Sequence, residues 1–567
     1  MFSFFKKIFI RKKKYRVVEI DPDEIFLDSE NLPNFDRYQF EGRIEKPISK
    51  KTAIASGIIF VLIALSFLGK IWALEVEKGD EYSAKAERNR LRHSPLFAER
   101  GVIYDRNNVL LAWNEPGKAN PDISERKYYP VSGISNLLGY VKYPSTDSSG
   151  FYYKEDFEGV DGLEKKFNGV LRGRNGQKII ETDALGKIQS ESETYPPENG
   201  QSIRLSIDVL LQEKMFEIIK KTAENAGFEG GAGLLMDAYT GELLVSASYP
   251  EYDSNILTEG KDAGAIKGFV ESKKMPFLNR AIDGLYTPGS IVKPFVALGV
   301  LNEKIISPEK TILSTGSISI PNPYDPEKKS VFTDWKAHGE VDMRKALAVS
   351  SNVYFYEVGG GFENQKGLGI KGIKKYMEMF GFGFPAGEDP FVSKEGTIPD
   401  PEWKKEKFDG EEWRIGDTYN TSIGQYGFQV TPLQMAKGAG AIANGGKLQE
   451  PSILALLREN SEAEEIPIPE GYFQIIREGM RRGVLEGTAK GLDIREVKVA
   501  AKTGTAELGS AKKMVNSWVI GFFPYENPRY AFAVIMERGP RENTIGGLYV
   551  MRQFLEWMAS EIPEYFK

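Results

Sequence analysis

The sequence predicts an α+β protein: an antiparallel sheet covered by helices, on an elongated β-rich pedestal, behind one N-terminal transmembrane helix. Three observations predict it. Near the C-terminus, the strand-like runs VKVAAKTGTAEL (497–508), NSWVIGFFP (516–524) and YAFAVIMERG (530–539) are joined by short turns, so they pair antiparallel. Between 260 and 480, helical patterns and glycine-rich loops dominate. From Ala53 to Gly69 the chain is uncharged and mostly apolar.

Composition sets the outer bounds. The 567 residues suffice for about three or four domains. Charged residues make up 27% and hydrophobic ones 41%, a globular balance. The net charge of −6 has no long single-sign run, so no nucleic-acid partner is expected. There is no cysteine, which excludes disulfides, thiolate zinc sites and cysteine nucleophiles. Only His93 and His338 are available for histidine chemistry.

Residues 1–52 are polar, open with the basic FKKIFIRKKKYR, and read as a cytoplasmic tail. Residues 53–74 read as the transmembrane helix, because about 20 apolar residues span a hydrocarbon core of about 30 Å. Lys70 can snorkel there and Trp72 can sit in the interface. Lys50 and Lys51 flank one end, with Glu75, Glu77 and Asp80 beyond the other. The positive-inside rule then puts the N-terminus in the cytoplasm and the body outside, as a single-pass protein of the cytoplasmic membrane.

Residues 75–205 read as a pedestal without a catalytic constellation. A helical continuation is expected over 75–92, then a strand and hairpin around Arg100–Asn108, with turn-forming Asn107-Asn108. Gly159–Glu164 precedes a short helix, Gly173, Gly176 and Gly186 punctuate strands, and Pro196–Gly200 marks a boundary. Residues 206–567 form the last domain. Ser206-Ile207-Asp208 caps a helix through about Ala223, and 231–250 reads as two strands around Ala238–Gly241. MRQFLEWMASEI closes the chain as an amphipathic helix.

The chemistry centres on Ser290 and Lys293, where Thr287-Pro288-Gly289 gives way to an apolar helix. Residues three apart share a helix face, so Lys293 can reach the Ser290 hydroxyl and act as its base. Ser-x-x-Lys occurs five times, from Ser3, Ser124, Ser290, Ser307 and Ser510, so context decides. Only Ser290 has the turn before it, the helix behind it and partners downstream. Lys293 must be neutral to serve; burial against the helix and a nearby second cation would both lower its pKa, and Lys502 is the expected cation and the expected main reason. The helix should begin near Ser290, where the missing N–H of Pro294 does least harm. Lys502-Thr503-Gly504-Thr505 lies in the first late strand, where Gly504 admits a close backbone or substrate. Ser350-Ser351-Asn352 offers a hydroxyl to pass a proton and an amide to hold a peptide. Each piece alone also fits a surface pair, a strand bulge or a helix cap. The ordered set is specific.

From Arg100 onward the chain resembles a class B penicillin-binding protein, the monofunctional D,D-transpeptidase of peptidoglycan synthesis. The resemblance rests on Arg100-Gly101 through Arg106, Gly162-Leu163-Glu164, Thr287–Ser290 with Lys293-Pro294-Phe295, Ser350–Asn352 and Lys502–Thr505. GDTYNTSIGQYGFQVTPLQMA (416–436) is most similar to the elongation-type penicillin-binding protein 2 branch. The resemblance implies a penicillin-binding, serine β-lactamase-like transpeptidase domain on a dimerisation-type pedestal. It implies that Ser290 attacks the penultimate D-alanine carbonyl of a D-Ala-D-Ala stem peptide, with Lys293 as base and Ser350 as proton relay. Asn352 would hold the peptide, and Lys502, Thr503 and Thr505 the terminal carboxylate, with Gly504 between them. The backbone N–H groups of Ser290 and Thr505 would form the oxyanion hole. β-Lactams would acylate Ser290, and a membrane glycan polymerase of the rod-shape type would be the partner. No cofactor is expected. Asp334 and His338 stand four apart, but no cysteine completes a zinc set, so they read as a surface pair and no metal is expected.

Asn352 departs from the aspartate common in elongation-type relatives, which leaves a division-type transpeptidase as an alternative. A D,D-carboxypeptidase differs only in taking water as acceptor, and a β-lactamase shares all three motifs. A penicillin sensor or scaffold, acylated without turnover, is the non-enzyme alternative.

Overall fold

The computed structural model describes residues 49–82, 91–118, 120–148, 152–182, 188–322, 325–455, 463–509 and 512–566. The tail expected at 1–52 lies almost wholly outside them, as do Ser3 and Ser510. Two units are distinguished, Met1–Asn89 and Arg90–Lys567.

In the first unit, helix α1 (Lys50–Trp72) begins where the Ser49 hydroxyl accepts the Thr52 N–H at 3.1 Å. One wider turn, Ala73–Glu77, extends it to 28 residues, long and apolar enough to cross a membrane. None of its side chains is buried in protein.

The second unit begins with β1 (Leu91–Leu96), so the helical continuation expected through residue 92 stops short of Leu91. β1 finds a partner far along the chain, a contact that helical spacing in the local sequence cannot reveal. The stretch expected to form the pedestal continues with β2 (Ile103–Tyr104), β3 (Leu110–Glu115), β4 (Glu125–Tyr128), α2 (Gly162–Lys166), β5 (Gly176–Thr182), β6 (Ile188–Tyr195) and β7 (Ile203–Arg204). One sheet runs β1-β5-β6 and another β7-β2-β3-β4. The second is pinned by a buried ionic knot. Glu164 Oε2 accepts from Arg100 Nε at 2.5 Å and Oε1 from Arg126 Nε at 2.8 Å, with Tyr128 Oη at 3.3 Å. Burial alone would raise this carboxyl, but the two guanidinium groups outweigh it and hold Glu164 below the ordinary carboxylate range.

The second unit continues with α3 (Val209–Ala226), capped by Asp208 through Leu210 N and Leu211 N and closed by left-handed Gly227. β8 (Gly230–Asp237) and β9 (Leu243–Tyr249) follow. A single 3₁₀ turn, Gly289–Val292, leads into α4 (Lys293–Asn302). Four short strands come next, β10 (Ile312–Ser314), β11 (Ser317–Asn322), β12 (Asp325–Thr333) and β13 (Gly339–Val341), in a region expected to be helical and loop-like. They form two-stranded ladders too small to leave a strong alternating pattern. Helices α5 (Met343–Val349), α6 (Asn352–Gly360), α7 (Ile415–Ser422), α8 (Pro432–Ala443) and α9 (Glu470–Glu486) precede the last strands. These are β14 (Ala500–Leu508), β15 (Met514–Phe523) and β16 (Tyr530–Pro540), followed by α10 (Gly547–Glu561).

The central sheet has the order β9-β8-β16-β15-β14, antiparallel throughout. Sequence reading kept the early and late strands apart. The structure zips them together, Gly230–Asp237 against Glu537–Tyr530. Helices cover both faces, so successive residues point into different cores. Phe532, Val534 and Met536 join one with α3 and α10, whereas Ala531, Ala533 and Ile535 join another with α8. Burial on both faces explains why these strands are near-continuous apolar runs. β14 stays on the edge, where one side remains open to the helical subdomain.

Glu164→Ala should destabilise the pedestal by about 3–5 kcal/mol, because it strands Arg100 and Arg126 in the interior unpaired. Urea unfolding of the full chain measures this as an earlier first transition.

Candidate functional site

Ser290 sits in the 3₁₀ turn, where residues three apart eclipse one another and Lys293 lies in register with it. Pro294 falls in the first turn of α4, where its missing N–H leaves no bond unmade. The turn is wedged between two backbones. Gly289, at φ +59°, donates to Gly424 O at 2.9 Å. A Cβ on Gly289 would meet Thr505 O at 3.0 Å, and a Cβ on Gly504 would meet Pro288 O at 2.8 Å and Ile291 Cγ2 at 2.9 Å. Trp518 on β15 locks the approach by donating from Nε1 to Thr287 O at 3.1 Å. Gly504 is thus what lets the serine turn lie directly on the edge strand.

Lys293 is completely buried. Its Nζ donates to Ser350 O and Asn352 Oδ1, each at 2.8 Å, lies 3.4 Å from Ser350 Oγ, and stands 5.4 Å over the Phe355 ring. Lys502, 1% exposed, points across from β14, and its Nζ donates to Ser350 Oγ at 2.8 Å and Thr503 O at 2.9 Å. The two lysines therefore converge on one serine. Ser350 caps α5 in the left-handed conformation, φ 57° and ψ 41°, a strained choice for a residue with a side chain. No hydrogen bond joins Lys293 to the Ser290 hydroxyl among the described residues; catalytic contacts of this kind often tighten only with substrate bound.

Burial pushes the Lys293 amine down to about 7, and Asp334 opposes the shift. This corrects the expectation that Lys502 is the main reason: loss of hydration is. Lys502 itself is driven well below its ordinary value, first by burial and then by Lys293.

Asn352 opens α6 at intermediate exposure, with its amide oxygen on Lys293 and Nδ2 3.4 Å from Thr333 O. Thr503 is partly buried, Gly504 buried and Thr505 exposed on the edge strand. Lys293, Ser350, Asn352 and Lys502 are thus linked by hydrogen bonds beside the Ser290 turn, whose backbone packs on β14.

One residue escaped the sequence reading. The Thr488 hydroxyl stands 2.6 Å from that of Thr503, and Thr488 N donates to Ala348 O at 3.1 Å, tying the edge strand to α5. A Gly-Thr pair after a helix carries too little pattern to single it out. Asp334 and His338 are not a surface pair: their side chains are 0% and 2% exposed, with Oδ1 and Nε2 3.6 Å apart. Ser314 on β10 and Ser351 and Val353 at the start of α6 close over Asp334, and Trp335 packs on His338. Among the described residues no cluster of three metal-ligating side chains occurs. Burial lowers the His338 imidazole, leaving it neutral.

Residues 231–553 match the penicillin binding protein transpeptidase domain, and residues 116–205 the penicillin-binding protein dimerisation domain. The peptidoglycan D,D-transpeptidase MrdA of Acinetobacter baumannii is 29% identical, over 87% of this chain and 86% of that protein. MrdA of Escherichia coli K12 is 26% identical, over 90% and 94%. The structure of Helicobacter pylori PBP2 in complex with MreC is similar with a TM-score of 0.68 and 27% identity, over 83% of this chain and 99% of that one.

Gly504→Ala should push the serine turn off β14, at about 1–3 kcal/mol of overpacking. The expected result is a lower thermal midpoint and at least a tenfold slower reaction with a fluorescent penicillin, roughly the effect of losing one well-placed transition-state contact.

Proposed function

Since the chain belongs to the penicillin-binding protein transpeptidase family, we propose that it cross-links peptidoglycan stem peptides through an acyl-enzyme on Ser290. The observation that carries this is the convergence of two fully buried lysines on Ser350, beneath a serine turn seated on the edge strand. In acylation, Ser290 Oγ bonds to the carbonyl carbon of the penultimate D-alanine while its proton passes to neutral Lys293. The C–N bond to the terminal D-alanine then breaks, and the leaving amine takes up a proton through Ser350. In deacylation, an amine of a neighbouring stem attacks the ester carbonyl, gives its proton back along the same path and frees Ser290. Developing negative charge on the carbonyl oxygen is met by the backbone N–H groups of Ser290 and Thr505. Asn352 holds the peptide. Lys502, Thr503 and Thr505 hold the terminal carboxylate, with Gly504 keeping the strand close.

The MrdA relatives favour an elongation role in cell-shape maintenance. In this reading residues 1–52 are a cytoplasmic tail, 53–74 the membrane span, 75–205 the pedestal and 206–567 the catalytic domain outside. A membrane glycan polymerase of the rod-shape type supplies the strands, met through the anchor and pedestal. The H. pylori relative assembles with MreC, and a comparable scaffold is a proposed partner here.

Ser290→Ala should abolish labelling by a fluorescent penicillin; labelling equal to wild type refutes the nucleophile. Supplied with lipid-linked pentapeptide glycan and a polymerase, the wild type should yield cross-linked dimers. Free tetrapeptide alone would mark a carboxypeptidase, and neither product a sensor. Lys293 is active when neutral, and its amine titrates at about 7. The acylation rate should therefore fall as pH drops below that value and level off above it, as read from penicillin labelling across a pH series.

A further inference from the structure

We propose that Asp334 is a positioning residue for acylation: its buried carboxylate clamps the Ser350–Asn352 turn and places a negative charge within electrostatic reach of Lys293. The proposal rests on Lys293 as the base. Asp334 lies in the loop between β12 and β13, with no exposed side-chain surface. Oδ2 accepts from Ser351 Oγ at 2.8 Å, Val353 N at 3.0 Å and Ser314 Oγ at 3.3 Å, and Oδ1 from Trp335 N at 2.9 Å. Val353 is the second residue of the nine-residue α6, so the carboxylate sits at that helix's positive end.

Ser351 is the N-cap of α6, and its Oγ accepts the Tyr354 N–H at 3.3 Å. A hydroxyl has one proton, and here it goes to Asp334. The cap is thereby held from both sides, and the neighbouring residue is Ser350, whose left-handed backbone presents both carbonyl and hydroxyl to the lysines. Such a conformation persists where its surroundings over-determine it. Asp334 supplies that constraint on the α6 side, as the Ser351 N–H bond to Ala346 O at 3.0 Å does on the α5 side.

The charge acts as well. Burial tends to raise the Asp334 carboxyl, but the helix N–H groups, Ser351 and Lys293 outweigh it, so it stays ionised. In turn it holds the Lys293 proton more tightly, against the effect of burial. The other groups around this pair are Lys502 from β14, His338 beside Asp334, and Tyr356 from α6. His338 is pushed down and Tyr356 up, so both are neutral near pH 7, and Lys502 is itself driven well below its ordinary value, which leaves Asp334 as the charge that acts on Lys293. Without Asp334, two buried amines face each other with no counter-charge.

The test is the pH dependence of acylation of the full chain by a fluorescent penicillin. Asp334→Asn keeps the shape and removes the charge. Lys293 then gives up its proton more easily, so the acid limb should move about one pH unit lower, at the low end of what one opposite charge does. The plateau rate should fall about tenfold as the turn loosens, a loss worth about 1.4 kcal/mol in the barrier. Ser351→Ala removes the cap hydroxyl and keeps the charge, so its rate should fall while its acid limb stays. If Asp334→Asn does not fold, Asp334→Glu carries the test: a slower reaction with the limb not lowered is expected, and a lowered limb refutes the proposal. An unmoved limb in Asp334→Asn, beside a clear limb in wild type, overturns this inference alone. A wild type with no acid limb near neutrality overturns the Lys293 assignment and this inference with it.

Discussion

Two lysine side chains taken completely out of water and aimed at one serine are the constraint on which the rest of the site depends. An isolated buried ammonium is costly, and two within reach of the same hydroxyl are costlier, so the interior forces at least one proton off near neutral pH. That is the condition a serine needs from its base. The fold accordingly has to exclude water around Lys293, which the apolar α4 and the Phe355 ring do. For the proposed reaction it also has to keep enough negative charge nearby that Lys293 can take up a proton. Asp334 fits that second need.

The site exists because β14 is an edge strand. A central strand has neighbours on both sides and no room for a catalytic turn. Here β15 takes one side of β14, and Gly504 clears the other end for Pro288–Ile291. The antiparallel sheet is stiff, buried on both faces and closed by pairing the early β8 with the late β16. Residues far apart in the chain, Lys293, Ser350 and Lys502, are thus held within ångströms by three separate elements: a helix start, a left-handed turn and a strand. Each uses a local device, the 3₁₀ turn, the strained cap and the glycine, whose value shows only when the three meet.

Much of this was legible in the chain. The apolar stretch from Ala53, the capped α3 and the late strands announce themselves by length, capping residues and apolar runs, all local signals. The motif residues were legible because nucleophilic chemistry without histidine restricts which side chains can serve, and their order along the chain is rare by chance. Less legible was β1, whose first two residues were read as the end of a helix. Its strand character comes from pairing with β5, some eighty residues on. The Asp334–His338 pair was misread for a similar reason, since Asp334 is covered by Ser314 on β10 and by Ser351 and Val353 at the start of α6, partners 17 to 20 residues away.

By itself the sequence determined which groups can do chemistry and on what kind of element each sits, because residue type, spacing and turn chemistry are local properties. Only the tertiary structure decided what state those groups are in. Burial, rather than the second lysine, brings Lys293 to about 7, and burial depends on every helix packed around α4. Likewise the hydroxyl of Thr488, the counter-charge of Asp334 and the pairing of β8 with β16 are contacts between segments with no relation in sequence. Solvent exclusion and long-range pairing are properties of the assembled chain, and no window along it contains them.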